Sequence, residues 1–251
     1  MKNIACLFFA LIFLVSCASK NTDMGTKKEI ALATQRLGEE YYNAGKYTAA
    51  LKKLLEAHET IPNDPYLHNS LGLVYFAKER YGLAEKSFKK ALSIKADYIH
   101  AKNNLGATYL KQKKWDAAIK SFEEITEDLL YATPEMPLSN LGYAYYHKKM
   151  FAKSKLYFTK SLEIRPHFLF AVHGITSIYI ETGYYKKAVN YLHRELEKNP
   201  GAAILHSDLA KTYEALKDFD KAKKSWNIVL KIEPATSSLA KEAEKRLFDL
   251  N

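Results

Sequence analysis

The segment Leu71-Gly72-Leu73-Val74-Tyr75-Phe76-Ala77-Lys78-Glu79-Arg80-Tyr81-Gly82-Leu83-Ala84 decides the fold, because its pattern recurs along the chain with a period of 34 residues. One tyrosine of the pattern occurs six times, with spacings of 34, 34, 36, 34 and 34 residues, at Tyr41, Tyr75, Tyr109, Tyr145, Tyr179 and Tyr213. An aromatic residue follows each tyrosine after six positions, and a small residue follows three positions later. Six copies of one structural unit therefore extend from about Ala31 to Thr236.

The composition favours helices over strands. Hydrophobic residues make up 47% of the 251 residues and charged residues 26%, as in folded proteins with a substantial core. There are only 10 glycines and 7 prolines, and valine and isoleucine do not form the alternating runs typical of strands. These features predict an all-α protein.

The repeated unit resembles the tetratricopeptide repeat, a helical hairpin with Leu-Gly, Tyr, Ala, Phe and Pro at fixed offsets. Leu-Gly pairs occur at 37–38, 71–72, 105–106 and 141–142. The large residue of the second helix is Leu54, Phe88, Phe122, Phe158, Leu192 or Trp226. Closing prolines occur at Pro62, Pro166, Pro200 and Pro234. The departures are Ile175-Thr176 and Leu209-Ala210 in place of Leu-Gly, and Ala96 and Leu130 in place of proline.

This resemblance implies a right-handed superhelix of six helical hairpins with a concave groove. Small residues let the two helices of a hairpin approach closely, and large residues fill the space between hairpins. We expect repeats at 31–64, 65–98, 99–134, 135–168, 169–202 and 203–236. A capping helix is expected at 237–251, since Leu239, Ala243 and Leu247 share one helical face there.

The amino terminus has the pattern of an export signal. Lys2 precedes an apolar stretch from Ile4 to Val15, which has the length of a signal-peptide core and is short for a membrane span. The sequence Leu14-Val15-Ser16-Cys17 resembles the lipobox of bacterial lipoproteins, whereas the alternative is an ordinary secretory signal with a chance cysteine. We therefore expect a signal peptide at 1–16, lipidation at Cys17 and a tether at 17–30. By analogy with lipoprotein sorting, Ala18 implies an outer-membrane protein that faces the periplasm.

The net charge of +10 does not by itself indicate nucleic-acid binding. The lysine pairs are scattered and mostly stand beside acidic residues, which favours a solvated surface, with attraction to anionic lipid headgroups as a further possibility. These pairs are Lys52/Lys53, Lys89/Lys90, Lys113/Lys114, Lys186/Lys187 and Lys223/Lys224.

Motifs for catalysis are absent from the sequence. It contains no glycine-rich phosphate loop, no paired His/Cys metal spacing and no nucleophile elbow, and its 8 histidines are too far apart to suggest a ligand pair. We expect no enzyme, cofactor, metal site, nucleic acid or small-molecule substrate.

A protein partner is expected on the first helix of each hairpin, which faces the groove in the tetratricopeptide family. The predicted groove residues are Tyr66, Asn69, Leu73, Phe76, His100, Asn103, Asn104, Leu110, Ser139, Asn140, Tyr143, Tyr146 and His147. Asparagine offers a donor and an acceptor to an extended backbone, and the aromatic residues offer rigid contact area. The alternative is that the asparagines bond to neighbouring helices and the aromatics are extra packing. The Lys/Asn/Arg clamp for a terminal carboxylate is not evident.

Taken together, the lipobox, the six hairpins and the long junction at 128–134 after the third hairpin resemble the type IV pilus pilotins of the PilF/PilW family. This resemblance implies a lipid-anchored chaperone that escorts secretin subunits to the outer membrane and promotes their assembly. The alternatives are a scaffold for cell-wall hydrolases or outer-membrane protein assembly, and an enzyme of unrecognised chemistry.

Overall fold

The computed structural model describes residues 25–126 and 134–250. Residues 1–24, with the predicted signal peptide and Cys17, lie outside the described residues, as does most of the long junction, 127–133. The described residues form thirteen helices and no strand. In chain order they are α1 (25–43), α2 (Tyr47–Thr60), α3 (Pro65–Ala77), α4 (Tyr81–Ile94), α5 (Ile99–Lys111), α6 (Trp115–Thr126), α7 (Glu135–His147), α8 (Phe151–Ile164), α9 (Leu169–Glu181), α10 (Tyr185–Lys198), α11 (Ala203–Ala215), α12 (Phe219–Ile232) and α13 (Ser238–Asp249).

The first helix begins earlier than the sequence pattern predicts. Helix α1 starts at residue 25, so residues 25–30, which we assigned to the tether, are helical and exposed. Lys27, Lys28 and Glu29 all have high helix propensity, and no proline follows them before the first repeat. Helix α1 therefore extends through the exposed residues 25–30 before its first buried residue, Ala31.

The turn inside each hairpin has the same left-handed geometry. Three residues join the two helices, and the second of them has a positive φ angle. The residues with this geometry are Gly45, Glu79, Lys113, Lys149, Gly183 and Lys217. In the second hairpin, for example, Arg80 N–H donates to the Tyr75 carbonyl at 2.8 Å and Glu79 N–H donates to the Phe76 carbonyl at 2.9 Å. These two bonds satisfy carbonyls at the end of the first helix and stabilise the turn that reverses the chain direction.

The chain divides into two compact units between Gln112 and Lys113. In the first unit, α2 to α5 contact one another in chain order. Fully buried side chains, among them Leu54, Leu67 and Phe88, form its core. A Cβ atom on Gly72 of α3 would lie 2.5 Å from the Phe88 ring of α4, so glycine is what allows this close helix contact.

In the second unit, each helix from α6 to α12 contacts the next helix in the chain. Its largest fully buried side chains are Trp226, Phe122 and Phe158. Helix α13 packs on α11 and α12, where Ala240 and Ala243 are buried. The final hairpin is thus covered by an additional helix.

Candidate protein-binding surface

The first helices of successive hairpins contact one another directly within each unit. Helix α3 contacts α5 in the first unit, and α7 contacts α9, which contacts α11, in the second. We call these the inner helices. All thirteen predicted groove residues lie on α3, α5 or α7.

Two predicted asparagines bond to each other across the inner helices of the first unit. Asn104 of α5 donates from Nδ2 to Oδ1 of Asn69 of α3 at 3.0 Å. Asn69 is buried, with 7% of its surface exposed. For this pair the structure favours the alternative interpretation, in which asparagine joins neighbouring helices. The side-chain oxygen of Asn103, by contrast, is buried and has no hydrogen-bond partner within the described residues.

An exposed tyrosine lies at the start of α3. Tyr66 contacts the Tyr98 ring edge-on at a centroid distance of 5.1 Å, and Tyr98 contacts the exposed His100 at 6.0 Å. Lys95 donates from Nζ to the Tyr66 hydroxyl at 2.9 Å. These residues form a polar aromatic cluster at one end of the inner helices.

Several predicted groove aromatics pack inside their own hairpin. Phe76 contacts Tyr81 at 5.4 Å, and Tyr146 contacts Phe151 at 5.8 Å. In both cases the partner is the first residue of the second helix, so this contact closes the hairpin. Leu73 and Leu110 are likewise half-buried. These four residues offer a ligand only part of their surface.

Ser139 cannot contact a partner, contrary to our prediction. It is fully buried, and its hydroxyl donates to the Ser161 hydroxyl of α8 at 2.7 Å. Ser161 in turn donates to the Glu135 carbonyl at 2.8 Å. The error arises because a small residue at this helical position packs against the second helix of the same hairpin.

A continuous group of aromatic rings lies on and beside α7, and we call it the aromatic surface: Trp115, Tyr143, His147 and Phe170. Trp115 and His147 stack with centroids 4.5 Å apart and ring planes 5° apart. Tyr143 meets His147 edge-on at 4.4 Å and Phe170 of α9 at 5.9 Å. Trp115, Tyr143 and Phe170 are half-buried, and His147 is exposed. The half-buried Asn140 lies one helical turn before Tyr143.

The histidine of this surface is biased toward its neutral form. Although much of its ring is exposed, partial burial lowers the pKa of His147, and the charges of Lys149 and Lys113 lower it further. A neutral imidazole stacked on indole presents an apolar face with a polar edge. Such a group suits an apolar side chain of a bound protein.

A charge pair between a half-buried histidine and a buried aspartate, which the sequence analysis missed, joins the inner helices α9 and α11. His173 Nδ1 lies 2.7 Å from Oδ2 of Asp208, which is 2% exposed. Burial lowers the pKa of His173, but the hydrogen bond and charge of Asp208 outweigh burial and raise it overall. Burial also raises the pKa of Asp208, so both shifts favour retention of a proton on the pair. When protonated, His173 donates to Asp208 and keeps a second N–H donor at Nε2.

The sequence contains a signal for these missed residues. Asn69 and Asn104 are separated by 35 residues, and so are His173 and Asp208. Both pairs join the fifth position of one repeat to the sixth position of the next. Had the groove positions been extended beyond the fourth repeat, they would have included Phe170, His173 and Asp208.

Comparison with known families assigns the repeat. Family models of the tetratricopeptide repeat match residues 38–79, 65–129, 138–168 and 171–203. Together these matches cover more than half of the chain. The chain belongs to the tetratricopeptide-repeat family. Its hairpins are therefore the stacked modules that this family uses to bind proteins. No match was found among curated proteins.

Solved tetratricopeptide structures share the fold at low sequence identity. PilF of Pseudomonas aeruginosa has a TM-score of 0.68 at 23% identity, and the match covers 88% of this chain and 99% of PilF. PilW, a widely conserved type IV pilus biogenesis factor, has a TM-score of 0.75 at 20% identity, with coverage of 86% and 98%. A tetratricopeptide repeat protein from Parabacteroides merdae has a TM-score of 0.72 at 16% identity, with 87% of each chain covered. At these identities the similarity establishes the fold alone.

Within residues 25–126 and 134–250, no helix combines the length and the apolar character that a membrane span needs.

Proposed function

We propose that this tetratricopeptide-repeat protein is an adaptor that holds a segment of another protein against the aromatic surface of its second unit. The observation that carries the proposal is the contact of Tyr143, His147 and Phe170 on the inner helices with Trp115 at the start of α6, where half-buried and exposed rings leave apolar area available. Large rigid rings of this kind dominate binding energy at protein interfaces. The role assigned to the chain is binding, with no catalytic step.

The client that we propose is a secretin subunit of the type IV pilus. Two facts support this choice: the fold matches PilF and PilW over nearly their whole length, and PilW is a pilus biogenesis factor. Together with the lipobox-like sequence before Cys17, these matches favour a chaperone that promotes secretin localisation and assembly. Scaffolds for cell-wall hydrolases or outer-membrane protein assembly are the alternative clients.

The location that we propose is the periplasmic side of the outer membrane, with acyl chains on Cys17 as the anchor. Stable attachment needs a second signal besides a single acyl chain, and the several acyl chains of a bacterial lipoprotein meet this requirement. The variant Cys17→Ser should move the protein from the membrane fraction to the soluble periplasmic fraction. An unchanged distribution would contradict anchoring at Cys17.

Photocrosslinking in cells tests the client. A benzophenone amino acid at Tyr143 should trap a secretin subunit, because this position contacts His147 and Phe170 on the aromatic surface. The same amino acid at Tyr157 of α8 is the matched control, since Tyr157 is also a half-buried tyrosine but lies on a second helix. We expect no secretin from this control.

Other outcomes of this experiment discriminate the proposals. Trapping of a cell-wall hydrolase or an assembly factor at Tyr143 would support the alternative clients and contradict the pilus role. Trapping of the same proteins at Tyr143 and Tyr157, or of none at Tyr143, would refute binding at the aromatic surface itself.

A further inference from the structure

Charge is segregated in the second unit between the inner helices and the second helices α8, α10 and α12. The last three second helices carry mostly cations: α8 has three lysines and one glutamate, α10 has four lysines or arginines and two glutamates, and α12 has four lysines and one aspartate. Helix α6 is the exception, with one lysine and three acidic residues. The inner helices carry mostly anions, since α7 and α9 each have one glutamate and no lysine or arginine, while α11 has Asp208, Lys211 and Glu214. The fold therefore collects the positive charge on α8, α10 and α12.

We call the lysines and arginines of these three helices the basic outer face. They are Lys153, Lys155, Lys160, Lys186, Lys187, Arg194, Lys198, Lys221, Lys223, Lys224 and Lys231. All are exposed except Lys223, which is half-buried. Among the described residues, Lys221 is the one member that forms an ion pair, with Asp218. Oε2 of Glu195, an acidic residue on α10, lies 2.8 Å from Nδ1 of His167. The face thus presents positive charge that the protein itself leaves largely uncompensated.

Tyrosine rings lie beneath many of these cations. Lys155 Nζ lies 5.2 Å from the centre of the Tyr179 ring, Lys187 Nζ lies 4.6 Å from that of Tyr184, and the Arg194 guanidinium lies 6.0 Å from that of Tyr191. Lys153 and Lys160 cover the rings of Tyr145 and Tyr157 in the same way. Nucleic-acid bases stack on a free ring face. Because cations cover these tyrosine rings, the rings are poor platforms for such stacking. Tyrosine combined with lysine is typical of surfaces that meet lipid headgroups.

A depression in this face has the chemistry of a phosphate site. It has a volume of about 570 Å³ and is lined by Tyr179, Lys187, Asn190, Tyr191, His193 and Arg194. Lys187, Asn190 and Arg194 supply donors from one side of α10, and Arg194 can bind a phosphate through two N–H groups. Burial raises the pKa of the Tyr191 hydroxyl, which therefore stays neutral and adds no negative charge.

We propose that the basic outer face binds an anionic phospholipid bilayer, with lipid phosphates at Lys187, Asn190 and Arg194. Positive charge spread over three helices suits an extended anionic surface, whose potential attracts each nearby lysine and arginine. The inner helices, which carry three of the four rings of the aromatic surface, remain available to a client. This binding is additional to the proposed anchor at Cys17 and does not depend on the client's identity.

Vesicle cosedimentation of residues 18–251 tests the proposal, because this chain retains every described helix and lacks Cys17. It should bind vesicles of phosphatidylcholine mixed with phosphatidylglycerol and not vesicles of phosphatidylcholine alone, and added salt should weaken the binding. The double variant Lys187→Glu with Arg194→Glu should reduce affinity about tenfold or more. The variant Lys153→Glu with Lys160→Glu on α8 is a second test with the same expected direction.

The matched control is Lys241→Glu with Lys245→Glu on α13, which changes net charge equally at two exposed positions of the same unit. Circular dichroism should show equal helix content in all variants. An equal loss of binding in the control would overturn the proposal, since net charge alone would then explain it. Absence of binding to phosphatidylglycerol, or tighter binding to duplex DNA than to the vesicles in the same buffer, would also overturn it. Crosslinking from Tyr143 should be unaffected by the α10 variant.

Discussion

Phe158 shows how single residues set the helix spacing. Its ring is buried in α8 between Gly142 of α7 and Gly174 of α9. A Cβ atom would approach the ring to 2.8 Å from Gly142 and to 2.2 Å from Gly174. Both distances are shorter than van der Waals contact. Helices α7 and α9 can therefore approach this ring closely only because positions 142 and 174 are glycines. One phenylalanine therefore joins two successive hairpins.

Replacement of Gly174 by alanine should destabilise the second unit. The added methyl group would overpack the ring of Phe158 at a cost of about 1–3 kcal/mol, offset by a helix-propensity gain of about 1 kcal/mol, and urea denaturation can measure the net loss of up to about 2 kcal/mol. The matched control is Gly82→Ala in α4, where no atom lies within 4 Å of the added Cβ. That variant should be unchanged or more stable by up to about 1 kcal/mol. Equal effects of the two variants would mean that Phe158 moves aside without cost.

At the scale of elements, the recurring tyrosine marks the end of each first helix. Its carbonyl accepts the bond that closes the turn, as in Tyr213, which accepts from Asp218 N–H at 2.9 Å. The residue before the donor has a positive φ, yet glycine occupies this position in only two of the six turns, at Gly45 and Gly183. The other turns place glutamate or lysine in a conformation that is costly for residues with a Cβ atom.

Glu79→Gly should stabilise the first unit. Glu79 has a φ of 58°, and its side chain is exposed. Glycine relieves the steric cost but adds entropy to the unfolded chain, so the expected net gain is about 0.5–1 kcal/mol in urea denaturation. The reverse change, Gly183→Ala at a φ of 75°, should cost a similar amount. A loss of stability in Glu79→Gly would show that the glutamate side chain contributes more than its backbone strain costs.

Across the whole molecule, stability depends on contacts between neighbouring hairpins, so the end of the array needs a cover. Helix α13 supplies it. Ala243 of α13 lies in one buried cluster with Ala210 and Trp226. Arg246 also donates to Glu214 at 3.2 Å, and Glu214 accepts a bond from the Trp226 indole at 2.6 Å.

A chain that ends at Thr236 should expose Trp226 to water. Removal of α13 uncovers the last hairpin, so Trp226 fluorescence should shift to longer wavelength and this hairpin should unfold at a lower urea concentration than the rest. Trp115→Phe in both the shortened and the complete chain makes Trp226 the sole tryptophan. Identical emission from the two chains would contradict a covering role for α13.

The sequence by itself determined the repeat. A period of 34 residues, with a small residue three positions after the second aromatic, specifies helical hairpins, because only one register buries every apolar position. Leu54, Phe88, Phe158 and Trp226, which the pattern assigns to the second helices, are all buried in the structure. Tyr143 and His147 could also be placed on an inner helix by periodicity alone.

Tertiary structure decided which of these residues are available to a partner. Periodicity places Asn69 and Ser139 on a first helix, but contacts with Asn104 and Ser161 engage both of them. The His173–Asp208 pair and the basic outer face form between residues in successive repeats, which are distant along the chain. A helical pattern specifies the direction of each side chain, whereas its partner depends on how neighbouring hairpins stack, and that stacking exists only in the folded protein.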